Sequence, residues 1–166
     1  LFQAFGLSAS AGLNAYIPLL IVGLAARFTD AFTLSGPFAL LENVWVLATL
    51  GVLVLVEGLA DKVPVLDHLN DILATFIRPA AGALLFASSA GVATDMSPIL
   101  AAVLGLLTAG VVHGAKATAR PVVTSTTGGL GNPVISAVED VAAALTSILA
   151  VFMPFLLAFA FRTLRL

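Results

Sequence analysis

The chain has 166 residues, 60% of them hydrophobic and only 10% charged. Soluble domains average roughly half and a quarter, so the composition excludes a water-soluble globular domain and implies an integral membrane protein. A net charge of −2 offers no basic surface to nucleic acid, and the lack of cysteine removes disulfides, thiolate metal sites and a thiol nucleophile.

A membrane-crossing helix takes roughly 20 mostly apolar residues. Five stretches meet that need: 1–26, 44–60, 72–94, 98–115 and 134–161. The expected fold is therefore all-α, a polytopic transmembrane helix bundle with about five spanning helices in a single domain over 1–166. The first segment has no basic n-region and reads as a retained helix rather than a signal peptide.

Within that first segment, "SASAGLNAYIPLL" places small residues at Ser8, Ser10, Ala11 and Gly12, the composition of a helix-packing seam. Asn14, Tyr16 and Pro18 follow, and admit a sharper alternative, a broken helix that contributes backbone groups to a site. Arg27 and Asp30 close the segment at the water interface. "TLSGPFALLEN" then holds a Ser-Gly-Pro turn and a short apolar piece expected to lie in the interface.

The second helix runs into "VEGLADKVPVLDHLNDILATFIRPAAGAL", the most charged stretch of the chain. Asp67, His68 and Asp71 read there as a solvated loop ahead of helix three. Helix four ends in "VVHGAKATARP", and "VVTSTTGGLGNP", bracketed by Pro121 and Pro133, reads as the loop to helix five. "VEGLADKVP" against "VHGAKATARP", and "IRPAAGALL" against "VEDVAAALT", suggest a weak parallel repeat of helices two and three in helices four and five.

Threading five spans brings the ends of helices two and four and the starts of three and five to one membrane face. Glu57 and Asp61 are four apart on one helix face, whereas His113, Lys116 and Arg120, at offsets of three and seven, form a basic stripe. Arg78 and the Glu139, Asp140 pair enter the same region from the other two helices. Acids at that depth are costly unless they face the bundle interior and find cationic or hydrogen-bonding partners, and the first turns of a helix favour negative charge. The candidate binding residues are thus Glu57, Asp61, Arg78, His113, Lys116, Arg120, Glu139 and Asp140. Two plainer readings stand beside them: Lys62 and Arg120 as headgroup anchors, and the whole set as a structural salt-bridge network.

These charged stretches also carry a resemblance. "GLNAYIPLL", the Glu-x-x-Ala-Asp-Lys-x-Pro run from Glu57 to Pro64, Arg78-Pro79 and "SAVEDVAAAL" resemble a family of small bacterial inner-membrane proteins known only as a domain of unknown function, over nearly the whole chain. The resemblance implies a compact multi-helix, multi-pass protein of the bacterial inner membrane and gives no substrate.

Three function classes follow. A small transporter or channel-like protein would handle an ion or small polar solute in the one-sided charged pocket, and the mixture of signs suits a proton-coupled or zwitterionic cargo better than a bare cation. An accessory subunit of a larger membrane complex, or a homo-oligomer, would use the network only to fix the fold. A lipid-phosphate binder or enzyme would hold phosphate on Arg78, Lys116 and Arg120, but no catalytic arrangement is legible and enzyme activity is the weaker reading. No cofactor is indicated, no metal is assigned, and the expected partners beyond solute or complex are membrane lipids.

Overall fold

The computed structural model describes the backbone of residues 1–30, 32–60, 64–93 and 96–164, and the side chains there except those of 64, 65, 67, 68, 90–93 and 155–164. The described chain is all-helical: α1 (Phe2–Leu13), α2 (Tyr16–Phe28), a 3₁₀ helix (Gly36–Glu42), α3 (Val44–Ala60), α4 (Pro64–Ala93), α5 (Pro98–Thr127) and α6 (Asn132–Leu164). Three segments, Leu69–Ser89, Pro98–Thr127 and Asn132–Pro154, are each long and apolar enough to cross a membrane; the 3₁₀ helix with α3, bent by 65°, makes a fourth if counted as one. These are the helices of an integral membrane protein.

All five apolar segments are helical, and the first is divided. α1 and α2 have 12 and 13 residues, so at 1.5 Å per residue neither reaches across a ~30 Å hydrocarbon core. The break sits at Asn14, whose backbone is extended at φ −144°, ψ 126°. Packing partners show that the chain turns back there. α1 runs past Phe86 and Gly82 of α4: the Phe5 and Phe86 rings meet edge to face with centroids 4.9 Å apart, and the Ser8 hydroxyl donates to the Gly82 carbonyl at 2.9 Å. It therefore points toward the α4 half that holds Arg78. α2 starts with Tyr16 beside Glu57, near the end of α3, and reaches Leu41 and Leu47, near its beginning, at Gly23. Together α1 and α2 form a re-entrant hairpin, and the Arg27 guanidinium ties its far end to the Glu42 carbonyl at 2.7 Å.

α1 occupies the middle of the bundle because its side chains are small. Ala4, Ser8, Ser10, Ala11 and Gly12 are all buried, and each permits a neighbouring helix to come close. A Cβ on Gly12 would lie 2.6 Å from the Ala109 carbonyl oxygen of α5. On the α6 side the Ser10 hydroxyl lies 2.8 Å from the Ala143 carbonyl and 2.6 Å from the Ser147 hydroxyl. α4 and α5 form an antiparallel pair whose backbones meet at Gly82 and Gly105, where a Cβ on either would collide with the other's carbonyl. The packing seam and the helix break expected within "SASAGLNAYIPLL" are therefore both present, on successive residues.

Other boundaries move outward. α4 starts at Pro64 rather than near 72, so Asp71 lies in a helix and not in a loop, and α5 continues to Thr127, with Pro121 inside it, rather than ending near 115. The helix continues through the polar "TARPVVTSTT", where the Thr124, Thr126 and Thr127 hydroxyls are satisfied by carbonyls one turn earlier. The turn is Gly128 to Gly131: Gly128 caps α5 in the left-handed conformation, φ 62°, which glycine adopts at no steric cost. "TLSGPFALLEN" becomes the 3₁₀ helix.

Adding bulk where α4 meets α5 should be costly. Gly82→Val should lower stability by about 2 kcal/mol or more, since overpacking alone costs about 1–3 kcal/mol, whereas Gly110→Ala, which meets nothing within 4 Å, should be neutral. Thermal unfolding of both variants in the same detergent checks the pair.

Candidate functional site

The hairpin tip places non-helical backbone inside the bundle, where unpaired polar groups cost several kcal/mol each. The sequence meets that demand with Asn14, which is 1% exposed. Its amide oxygen accepts from the backbone N–H of Tyr16 at 2.9 Å and of Ile17 at 3.1 Å, capping α2. Its amide nitrogen donates to the Asp140 carboxylate at 2.9 Å. The last carbonyl of α1, on Leu13, accepts from the Lys116 ammonium at 3.2 Å. One side chain thus closes the break and joins it to α6, and a second joins it to α5.

Beyond the tip the bundle holds buried ionic side chains. Two linked sets occupy the space. In the first, Arg78 of α4 donates from Nη2 to Glu57 of α3 at 2.9 Å, with the side chains 1% and 4% exposed. Arg78 Nη1 lies 3.2 Å from His113 Nδ1. A guanidinium only donates, so Nδ1 accepts and the ring proton sits on Nε2, facing the Thr75 hydroxyl at 3.2 Å; Thr75 in turn donates to the Asp71 carbonyl at 2.9 Å. His113 is held neutral in one tautomer.

In the second set, Lys116 of α5 pairs with Glu139 of α6 at 2.6 Å. Arg120, one turn on, pairs with Asp71 of α4 at 2.7 Å, lies 3.7 Å from Glu139, and donates to the Ser136 hydroxyl at 2.7 Å. Successive residues on a helix project about 100° apart, so Glu139 faces α5 while Asp140 faces Asn14. That separation is why two adjacent acids are tolerable: each finds its own donor.

Of the eight candidates from sequence, the structure brings Glu57, Arg78, His113, Lys116, Arg120, Glu139 and Asp140 into this network, and Asp61 lies outside the described residues. Arg120, at 8% exposure, is an ion-paired interior residue rather than a headgroup anchor; Lys62 also lies outside the described residues. Sequence reasoning missed Asp71, Thr75 and Ser136 as members and left Asn14 off the list. Asp71, Thr75 and Arg78 recur at offsets of four and seven, one helix face, a signal hidden by the assumption of a loop. Among the described residues no three His, Asp or Glu side chains are grouped to hold a metal ion.

Breaking one partner of the innermost pair leaves a buried charge alone. Arg78→Met or Glu57→Gln should each cost about 3–5 kcal/mol, and the double variant clearly less than their sum; equilibrium unfolding of the three variants in detergent measures the coupling. Asn14→Ala should cost about 2–5 kcal/mol, the loss of a cap and of a hydrogen bond to a carboxylate, read in the same assay.

No curated protein and no solved structure matches the chain. A family model described as a domain of unknown function, DUF4126, matches residues 1–165, and the chain, a buried ionic network closed over by a re-entrant hairpin, belongs to that family.

Proposed function

We propose that the protein is a small transporter or channel-like protein, of the bacterial inner membrane, that takes an ion or small polar solute at the junction of the hairpin tip and the ionic network. The observation that carries this reading is the buried break at Asn14. A helix interrupted at membrane depth costs backbone hydrogen bonds, and such breaks are tolerated where they are buried in protein or line a polar cavity; transporters use them to present backbone groups to cargo. Here the interruption sits beside Lys116, Asp140 and the Glu57 and Arg78 pair. Clustered opposite charges also supply what a solute path needs, groups that can exchange an internal partner for a cargo group with little net change in charge.

The alternative, an accessory subunit whose network only fixes the fold, is favoured by the near-complete internal pairing. The two readings separate experimentally. Reconstituted into proteoliposomes, the protein should move charge or protons when a panel of cations, anions and zwitterions is applied as a gradient. The charge-neutral Lys116→Met, Glu139→Gln double variant should lose that movement by at least tenfold while still unfolding in a single cooperative transition, at a lower temperature because the Leu13 carbonyl loses the Lys116 ammonium. A variant that only melts earlier, from a wild type silent to every solute, would establish the structural role.

A further inference from the structure

Two helices climb the same distance from one starting level. Tyr16, which opens α2, lies beside Glu57, near the end of α3. Phe28 on α2 and Trp45 on α3 each stand twelve residues from that level, a rise of about 18 Å at 1.5 Å per residue. The Arg27 guanidinium ties the two upper ends together through the Glu42 carbonyl at 2.7 Å, so Phe28 and Trp45 share one height. Both are open to the surroundings, at 71% and 79% exposure, and Leu40 of the 3₁₀ helix joins them at 67%. Arg27 lies over the Phe28 ring, 5.6 Å from its centroid. The 3₁₀ helix bends away from α3 by 65°, so where α3 crosses a bilayer the 3₁₀ helix runs closer to its plane. Exposed aromatic rings beside a cation that keeps its charge in water are the composition of a headgroup layer.

The ionic network fixes a second level. Glu57 and Arg78 pair about 18 Å below Trp45, just past the middle of a ~30 Å hydrocarbon core. On α4 Asp71 lies seven residues before Arg78, and on α5 Arg120 lies seven residues after His113. The two helices thus take the same further step, about 10 Å, and meet at its end, where Arg120 and Asp71 pair at 2.7 Å. That pair stands about 28 Å from the Trp45 level, one hydrocarbon thickness. Exposure follows the same scale: the Asp71 side chain is 30% exposed, those of Glu57 and Arg78 only 4% and 1%. Between the levels α5 exposes Val103, Leu107 and Val111, whereas past Arg120 it exposes Thr124, Ser125, Thr126 and Thr127.

We infer that Arg27, Phe28, Leu40 and Trp45 form a surface that seats in the phospholipid headgroup layer of one leaflet, with the Asp71 and Arg120 pair at the opposite layer. The hairpin then enters from one leaflet and the ionic network occupies the other, so the water nearest the network is that on the Asp71 side. Lipid is the occupant because the two polar levels are one hydrocarbon thickness apart and the exposed face between them is apolar. This placement stands whether or not the protein moves a solute.

Trp45 is the sole tryptophan of the chain, so its native fluorescence reports depth directly. In proteoliposomes, phosphatidylcholine brominated near the headgroup end of its chains should quench Trp45 at least twice as strongly as phosphatidylcholine brominated near the chain terminus. With Trp45→Phe as background, Val122→Trp should keep that ranking and Val111→Trp, on the same helix near mid-membrane, should reverse it. Both valines are exposed, at 62% and 72%; if Val111→Trp does not fold, Phe76→Trp, at a 74% exposed site two residues before Arg78, takes its place. The chain has no cysteine, so single Thr33→Cys and Leu130→Cys variants test the two faces. A membrane-impermeant maleimide should label one in right-side-out vesicles and the other in inverted vesicles. Trp45 quenched best by the deep bromines or untouched by either lipid, Val111→Trp ranked like Val122→Trp, or both cysteines labelled from one side overturns the placement. None of these readouts involves flux, so a protein silent in the solute panel but placed as stated refutes transport alone.

Discussion

The structure depends on one constraint: polar backbone inside a bilayer must find its partners within the protein. Continuous helices meet it automatically. The break at Asn14 does not, and the arrangement around it is what makes the break tolerable. Asn14 caps α2 with its oxygen and spends its nitrogen on Asp140, and Lys116 takes the carbonyl that α1 leaves behind. Because Lys116 and Asp140 are themselves charged, the solution to a backbone problem brings ionic groups to the centre of the bundle, and these in turn need counter-charges. The network of α4, α5 and α6 grows from that requirement.

The interior is divided accordingly. On one side of the tip, α1 fills the bundle with alanine, serine and glycine, and helices approach until a Cβ would clash with a carbonyl. On the other side Arg78, Lys116 and Arg120 are buried and fill the interior with their stems as well as their charges. The first half has the character of a rigid scaffold, since close packing leaves no slack. The second half is held by buried ion pairs. Tyr16 and Glu57 lie where these two halves meet.

Much of the site was legible in the sequence because ionisable residues in an apolar chain are conspicuous and helical spacing sorts them onto faces. Glu57, Arg78, Lys116 and Glu139 could be assigned to one region from threading alone. Asp71 was hidden by a wrong boundary: polar residues before an apolar run look like a loop, yet here they continue α4 because Arg120 supplies the charge that makes an acid acceptable on an inward face. Asn14 was visible as a helix breaker, but its tie to Asp140, 126 residues later, is not encoded in any local pattern. The polar end of α5 likewise reads locally as a loop, because threonine and glycine signal turns, yet the helix runs on to Thr127.

By itself the sequence determined the all-helical membrane class, the apolar segments and the membership of most of the ionic set, since hydropathy and helical periodicity are local properties. Only the tertiary structure decided that the first segment enters and returns instead of crossing, and which acid pairs with which base. Hydropathy is indifferent to the direction in which a 12-residue helix leaves a break. That choice was made by packing, because α1 fits among α4, α5 and α6 through its small face while α2 finds its contacts along α3 and α6, and the pairing of charges followed from where the two helices left room.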